Sequence, residues 1–83
     1  MSWFVYIVEC KDGSLYTGIT TNLKRRVKEH NSGKGAKAIV KSKRPVKLVY
    51  TELCADRSGA VKREMSIKNW KREHKLKLIV GRG

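Results

Sequence analysis

Apolar and polar positions change period several times along this chain. Trp3 to Cys10, WFVYIVEC, is an almost unbroken apolar run rich in aromatic and β-branched residues, and a second short run, SLYTGI, spans Ser14 to Ile19. Two such runs joined across Lys11-Asp12-Gly13 predict a β-hairpin. From about Thr21 the spacing becomes helical, with Leu23 and Val27 four apart, and the cluster Asn31-Ser32-Gly33 ends the helix. Thr20 or Thr21 is the expected N-cap, its hydroxyl accepting from an orphan amide. Lys34 to Lys47, KGAKAIVKSKRPVK, reads as a loop with a single helical turn around Ala36 to Lys41, mobile until it binds. VKLVYTELC, Val46 to Cys54, reads as a third strand. A second helix is expected from about Gly59 to His74, capped by Asp56 or Ser58, with Ala60, Val61, Met65 and Ile67 as its apolar face. The tail Lys75 to Val80, KLKLIV, fits a last strand or a short helix. Trp70 is expected to anchor that end of the core, and Tyr50 to belong to it. The fold class is α+β: a small three-stranded antiparallel or mixed sheet with flanking helices, in the order β-β-α-β-α plus a short C-terminal element.

The hairpin turn decides whether Tyr6 and Tyr16 share a face, because strand side chains alternate. A two-residue Asp12-Gly13 turn pairs Lys11 with Ser14 and separates them. A three-residue loop pairs Cys10 with Ser14, Val8 with Tyr16 and Tyr6 with Gly18, bringing them together. The second is a type I turn closed by a G1 bulge, with Gly13 in the left-handed conformation, and Lys11-Asp12-Gly13 predicts it. On the following helix, at about 100° per residue, Arg26 and His30 lie on or beside the Leu23–Val27 stripe, whereas Lys24, Arg25 and Lys28 point away. An arginine and a histidine on the inner edge, beside two tyrosines, suit a phosphate better than a core.

Those residues carry a resemblance. Val5-Tyr6-Ile7, Tyr16-Thr17-Gly18, Arg26, His30 and Glu64 resemble the motifs of the GIY-YIG nuclease superfamily, and the whole chain is similar to its small stand-alone bacterial members. Arg26 and His30 fall ten and fourteen residues after Tyr16, the family's spacing, while Val5 stands where the first motif has glycine. The resemblance implies a GIY-YIG domain and phosphodiester hydrolysis. It also implies an asparagine well beyond the glutamate, and the chain has none at that distance; Asn69 is too close.

Eighty-three residues make one small domain, 1–83, burying roughly 60 to 65% of its unfolded surface. No stretch approaches the roughly 20 apolar residues that span a bilayer, and MSWFVYIVECKDG lacks the features of a signal peptide. A cytoplasmic protein is expected, with Cys10 and Cys54 as reduced, buried thiols. Twenty Lys and Arg against seven Asp and Glu give +13. Residues 1–33 carry five bases and three acids, and residues 34–83 carry fifteen and four, so the excess is concentrated in the second part. Such a field points to a polyanion. Lys24, Lys34, Lys37, Lys41, Lys43, Arg44 and Lys68 are the candidate nucleic-acid contacts, the loop lysines acting as a strap over a backbone; a merely solvated basic surface is the plain alternative.

Glu64 lies near the middle of the second helix's apolar face, where a carboxylate must be paired or ligating. The alternatives are an intrahelical pair with Lys68 or Lys71, an inward partner for Arg26, or a ligand for one Mg²⁺ or Mn²⁺; the resemblance implies the metal. Hydrolysis then distributes as follows. Tyr16, with Tyr6 beside it, deprotonates or orients water; His30 orients Tyr16 or shares the base role; Arg26 grips a non-bridging oxygen; Glu64 anchors the ion. A free tyrosine titrates near 10, so this role needs cationic neighbours that favour phenolate. Gly18 permits close approach of backbone or substrate. The expected function is a metal-dependent endonuclease on DNA with a preference for particular structures. The second reading is a non-catalytic DNA- or RNA-binding module on the same fold. A monomer is expected, with extra DNA binding from the basic half or from a protein partner.

Overall fold

A computed structural model of the chain describes residues 2–82, with side chains through residue 81. The elements run β1 (Trp3–Glu9), β2 (Leu15–Thr20), α1 (Leu23–Ser32), a 3₁₀ turn (Lys41–Lys43), β3 (Lys47–Cys54), α2 (Arg57–Lys68) and α3 (Arg72–Arg82). The sheet order is β2-β1-β3, and both pairings are antiparallel. β1 is central and buried on both faces, which is why its sequence is continuously apolar rather than alternating.

The hairpin closes as its turn residues dictate. Gly13 donates to the Cys10 carbonyl at 2.9 Å, Cys10 donates to that of Ser14 at 2.8 Å, and Gly13 adopts φ +86°. This left-handed residue is the G1 bulge. The register follows, with Tyr6 opposite Gly18 and Val8 opposite Tyr16.

Two clusters of apolar residues sit on opposite faces of the sheet. Val5 and Ile7 pack with Tyr50, Ala60 and Ile67 under α2 and α3, joined by Trp3, Trp70, Leu78 and Ile79. Tyr6 and Val8 point the other way and pack with Cys10, Ile39 and Val46, against Tyr16, Leu23 and Val27. A bulge in β3 opposite Ile7 and Val8 shifts the register between β1 and β3.

Several expectations need correction. The cap of α1 is Asn22, whose side chain accepts from the Arg25 amide, while the Thr20 hydroxyl accepts from the Asn22 amide. The threonine thus braces the turn before the cap. The second helix is not continuous to His74: α2 stops at Lys68 with Asn69 as its C-cap, and α3 begins at Arg72, absorbing the Lys75–Val80 tail. The break lets Ile67, Trp70, Leu78 and Ile79 all reach one core. Met65 is not on the inner face but 59% exposed. It lies about 140° round the helix from Ala60 at 100° per residue. Arg63 turns inward instead, donating from Nε to Glu52 Oε1 at 2.8 Å and from Nη2 to Oε2 at 3.2 Å, and lying over the Trp70 ring. Burial raises the Glu52 carboxyl, but the Tyr50 hydroxyl and this guanidinium outweigh it and hold the pKa below the ordinary value.

The Lys34–Val46 segment is tied down. Ile39 and Val46 are buried in the second core, Lys11 donates to the Lys43 carbonyl at 2.8 Å, and Asn31 bonds Val46 in both directions at 2.6 and 3.2 Å. The sequence pattern suggested a segment free until it binds, because lysines dominate it; its two apolar residues anchor it. The helical turn falls at Lys41–Lys43, later than Ala36 to Lys41.

Candidate active site

The second face of the sheet gathers four of the expected site residues. Tyr6 reaches it from β1, Tyr16 from β2, and Arg26 and His30 from α1, one helical turn apart. The rings of Tyr6 and Tyr16 are 6.5 Å apart, those of Tyr6 and His30 5.8 Å, and those of Tyr16 and His30 5.4 Å edge-on. Tyr6 Oη and His30 Nε2 are hydrogen-bonded at 2.7 Å. The histidine therefore engages Tyr6 directly and Tyr16 only through its ring edge, where the sequence suggested that it orients Tyr16. Burial decides the partner: Tyr6 and His30 are both 1% exposed, whereas Tyr16 is half-buried.

Gly18 explains how Tyr6 fits. A Cβ at this position would lie 2.5 Å from Tyr6 Oη and 2.7 Å from Cζ. The cross-strand glycine is the floor on which the phenol lies, so its role here is packing.

The electrostatics depart from expectation at Tyr6. Burial pushes its phenol up to about 12, and the adjacent Arg26 guanidinium only partly offsets this. Tyr6 is accordingly a neutral donor and acceptor at ordinary pH, not a phenolate. His30 is held below its ordinary value, first by burial and next by Arg26, with Glu29 opposing, and is neutral at pH 7. Arg26 bonds Glu29 Oε1 at 3.1 Å. Burial lowers the arginine, but Tyr6 and Glu29 together raise it.

Glu64 comes from α2, which packs on the opposite face of the sheet. Lys68 links it to the site: its Nζ is 3.5 Å from Glu64 Oε2 and 5.7 Å from the centre of the Tyr16 ring. The Glu64 carboxylate also acts electrostatically on Tyr6. Of the alternatives for this residue, the intrahelical pair with Lys68 is present, while Arg26 takes Glu29 as its partner.

The donor set bears on which metal could bind. No group of three His, Cys, Asp or Glu side chains gathers among the described residues. A closed, multi-ligand cage is not provided. One carboxylate of 17% exposure, paired among the described residues with an amine on a flexible stem, suits a hard ion that keeps most of its waters and shares the remaining positions with a substrate phosphate.

The basic candidates outside α2 lie on α1 and along the strap. Lys24, Lys34, Lys37 and Lys41 are exposed, and Lys43 and Arg44 are half-buried along the strap. Arg44 packs on Gly33, where a Cβ would meet Nη1 at 2.6 Å. Sequence reasoning missed one contributor, the strap backbone at Gly35 and Ala36. The Ala36 amide donates to His30 Nδ1 at 3.3 Å, and Gly35 lies against the same ring. The signal was the Gly33-x-Gly35 spacing just after a helix that ends in an inward histidine.

A three-stranded antiparallel sheet presenting two tyrosines to an arginine and a histidine on the following helix, with a glutamate on the next, is the layout of a nuclease-type domain. The GIY-YIG catalytic domain matches residues 2–77, and the chain belongs to that family. Among curated relatives, UPF0213 protein DP2720 of Desulfotalea psychrophila is 55% identical over 78 residues, covering 94% of this chain and 71% of its own. UPF0213 protein SH2523 of Staphylococcus haemolyticus is 55% identical over 76 residues, 92% of each. The solution structure of UPF0213 protein BH0048 from Bacillus halodurans matches all of this chain and 87% of its own, with TM-score 0.64 and 43% identity. That of EF2693 from E. faecalis matches 90% and 79%, with TM-score 0.62 and 45% identity. No helix among the described residues is long and apolar enough to cross a membrane.

Proposed function

We propose that this protein is a divalent-metal-dependent endonuclease that hydrolyses phosphodiester bonds in DNA. The observation that carries the reading is the gathering of Tyr6, Tyr16, Arg26 and His30 on one face of the sheet of a GIY-YIG domain, with Glu64 linked to Tyr16 through Lys68.

Each residue has a task in the proposal. Arg26, anchored by Glu29, offers its remaining N–H groups to a non-bridging phosphate oxygen and stabilises the charge that grows there. Tyr16, the half-buried tyrosine, orients the attacking water through its hydroxyl. Tyr6 and His30, neutral and mutually bonded, hold the cluster's geometry and exclude bulk water. Glu64 holds Mg²⁺ or Mn²⁺, which when bound polarises the phosphate and stabilises the leaving oxygen. Lys68, paired with Glu64 at 3.5 Å, would offer its amine to a backbone phosphate. Lys24 and the strap residues Lys34, Lys37, Lys41, Lys43 and Arg44 neutralise neighbouring phosphates. The cytoplasm, where DNA and millimolar Mg²⁺ are both at hand, is the proposed compartment, and a monomer the proposed form.

One experiment tests the reading. Supercoiled plasmid and branched DNA are incubated with wild type, Tyr16→Phe and Glu64→Ala, with and without Mg²⁺ or Mn²⁺, at protein concentrations that give equal binding. Metal-dependent nicking by wild type, reduced at least a hundredfold in both variants, is the expected result. Salt-sensitive binding without cleavage under any metal would instead assign the protein as a nucleic-acid-binding module, a reading favoured by the Glu64–Lys68 pair that occupies the carboxylate.

A further inference from the structure

His30 is engaged at both ring nitrogens, and the partners come from different layers of the molecule. Nδ1 accepts from the Ala36 amide at 3.3 Å, and Nε2 lies 2.7 Å from Tyr6 Oη. A neutral imidazole carries one ring proton, and a nitrogen accepting from an amide does not hold it. The proton therefore sits on Nε2 and is donated to the Tyr6 oxygen. A phenol oxygen that accepts from the imidazole must aim its own proton elsewhere.

Gly35 makes this arrangement possible. A Cβ there would run into His30 Nδ1 and come within 2.8 Å of its Cα, so only glycine lets the strap backbone lie against the ring. The neighbouring Lys34 and Lys37 are exposed and available to a backbone phosphate. The strap thus has an outer and an inner function, charge outward and an amide inward.

We infer that the strap backbone at Gly35-Ala36 is a positioning element: it fixes His30 as the Nε2–H tautomer, so that the imidazole donates to the Tyr6 hydroxyl and the buried pair holds the geometry in which Tyr16 and Arg26 act. Only the last step rests on the nuclease reading; the tautomer is a property of the protein alone.

The test is a long-range ¹⁵N–¹H correlation spectrum of the ¹⁵N-labelled full chain at pH 7.5, with the exposed His74 as an internal reference. His30 is expected as Nε2–H with an unprotonated Nδ1, against an averaged pattern for His74. Gly35→Ala, which pushes the amide away, and Ala36→Pro, which replaces the amide hydrogen with a ring methylene and so removes the donor, are each expected to move His30 to a mixture of tautomers. Both are expected to lower kcat for plasmid nicking about tenfold while the Kd for DNA stays within twofold. Lys37→Ala is expected to do the opposite, weakening binding with an unchanged His30 spectrum. An Nδ1–H or mixed tautomer in wild type overturns the inference, as does an unchanged tautomer in the folded Ala36→Pro protein. If wild type cuts no DNA, the nuclease reading fails while the spectrum still decides the tautomer.

Discussion

Tyr6 has the environment of a core residue and the chemistry of a site residue, and its substitution separates the two. Tyr6→Phe keeps the ring and deletes the oxygen, leaving His30 Nε2 buried without its partner. A loss of roughly 1–3 kcal/mol is expected in urea unfolding. With a folded-state pKa near 12 against 10.0 for a free phenol, Tyr6 stabilises fully below pH 10; between pH 10 and 12 the unfolded chain ionises and the folded one does not, so stability falls. His30 has the opposite sense. Its folded pKa lies below 6.5, so above that pH both states are neutral, and below it the unfolded chain takes a proton that the folded chain refuses. The urea midpoint is expected to drop between pH 7 and 5, and His30→Gln to flatten that drop. The shared face of Tyr6 and Tyr16 was legible because a three-residue turn ending in Gly13 allows one register. The choice of Tyr6 over Tyr16 as the histidine's partner was not, since it depends on which phenol α1 and the strap cover, a fact with no local sequence signal. Met65 and Arg63 illustrate the same limit: helical projection placed the methionine inward, but Glu52 across the β3–α2 contact draws the arginine in instead.

At the scale of elements, strand existence and order followed from composition and turn chemistry, while the helix boundaries depended on caps and on the core. Asn22 and Asp56 each accept from an amide three residues on, and the α2–α3 break at Asn69–Lys71 follows the need of Trp70 and Leu78 to share one core. The strap was the largest misjudgement, because six basic residues in fourteen positions obscured Ile39 and Val46. Asn31 is the brace that joins it to α1. Asn31→Ala is expected to cost about 1–2 kcal/mol. Amide exchange across residues 36–46 should speed up by an order of magnitude or more, with β1 still protected. Equal loss of protection in β1 would show that the strap and the sheet open together. Gly18→Ala acts between elements too: its Cβ lies too close to the Tyr6 ring, and a cost of roughly 1–3 kcal/mol is expected in the same unfolding measurement.

At the scale of the whole molecule, a formal charge of +13 is carried by a body with principal extents of 33 × 29 × 22 Å. Binding to duplex DNA is expected to weaken steeply with salt, by about 0.9 in log–log slope for each phosphate neutralised. Lys37→Ala should lower that slope by about one without changing sequence preference. Both are read from fluorescence anisotropy between 50 and 300 mM salt. Basicity was plain in the sequence, but the strap's course over the second core was not, because it is a tertiary fact. That second core has a consequence for how such chains are read. Tyr6, Gly18 and His30 interlock in its buried interior. A descendant that had stopped cutting DNA would be obliged to retain them simply in order to fold. Their presence testifies to ancestry and architecture. Tyr16 and Glu64, which lie outside that interlock, are the residues whose loss or retention would show whether the proposed chemistry is in use.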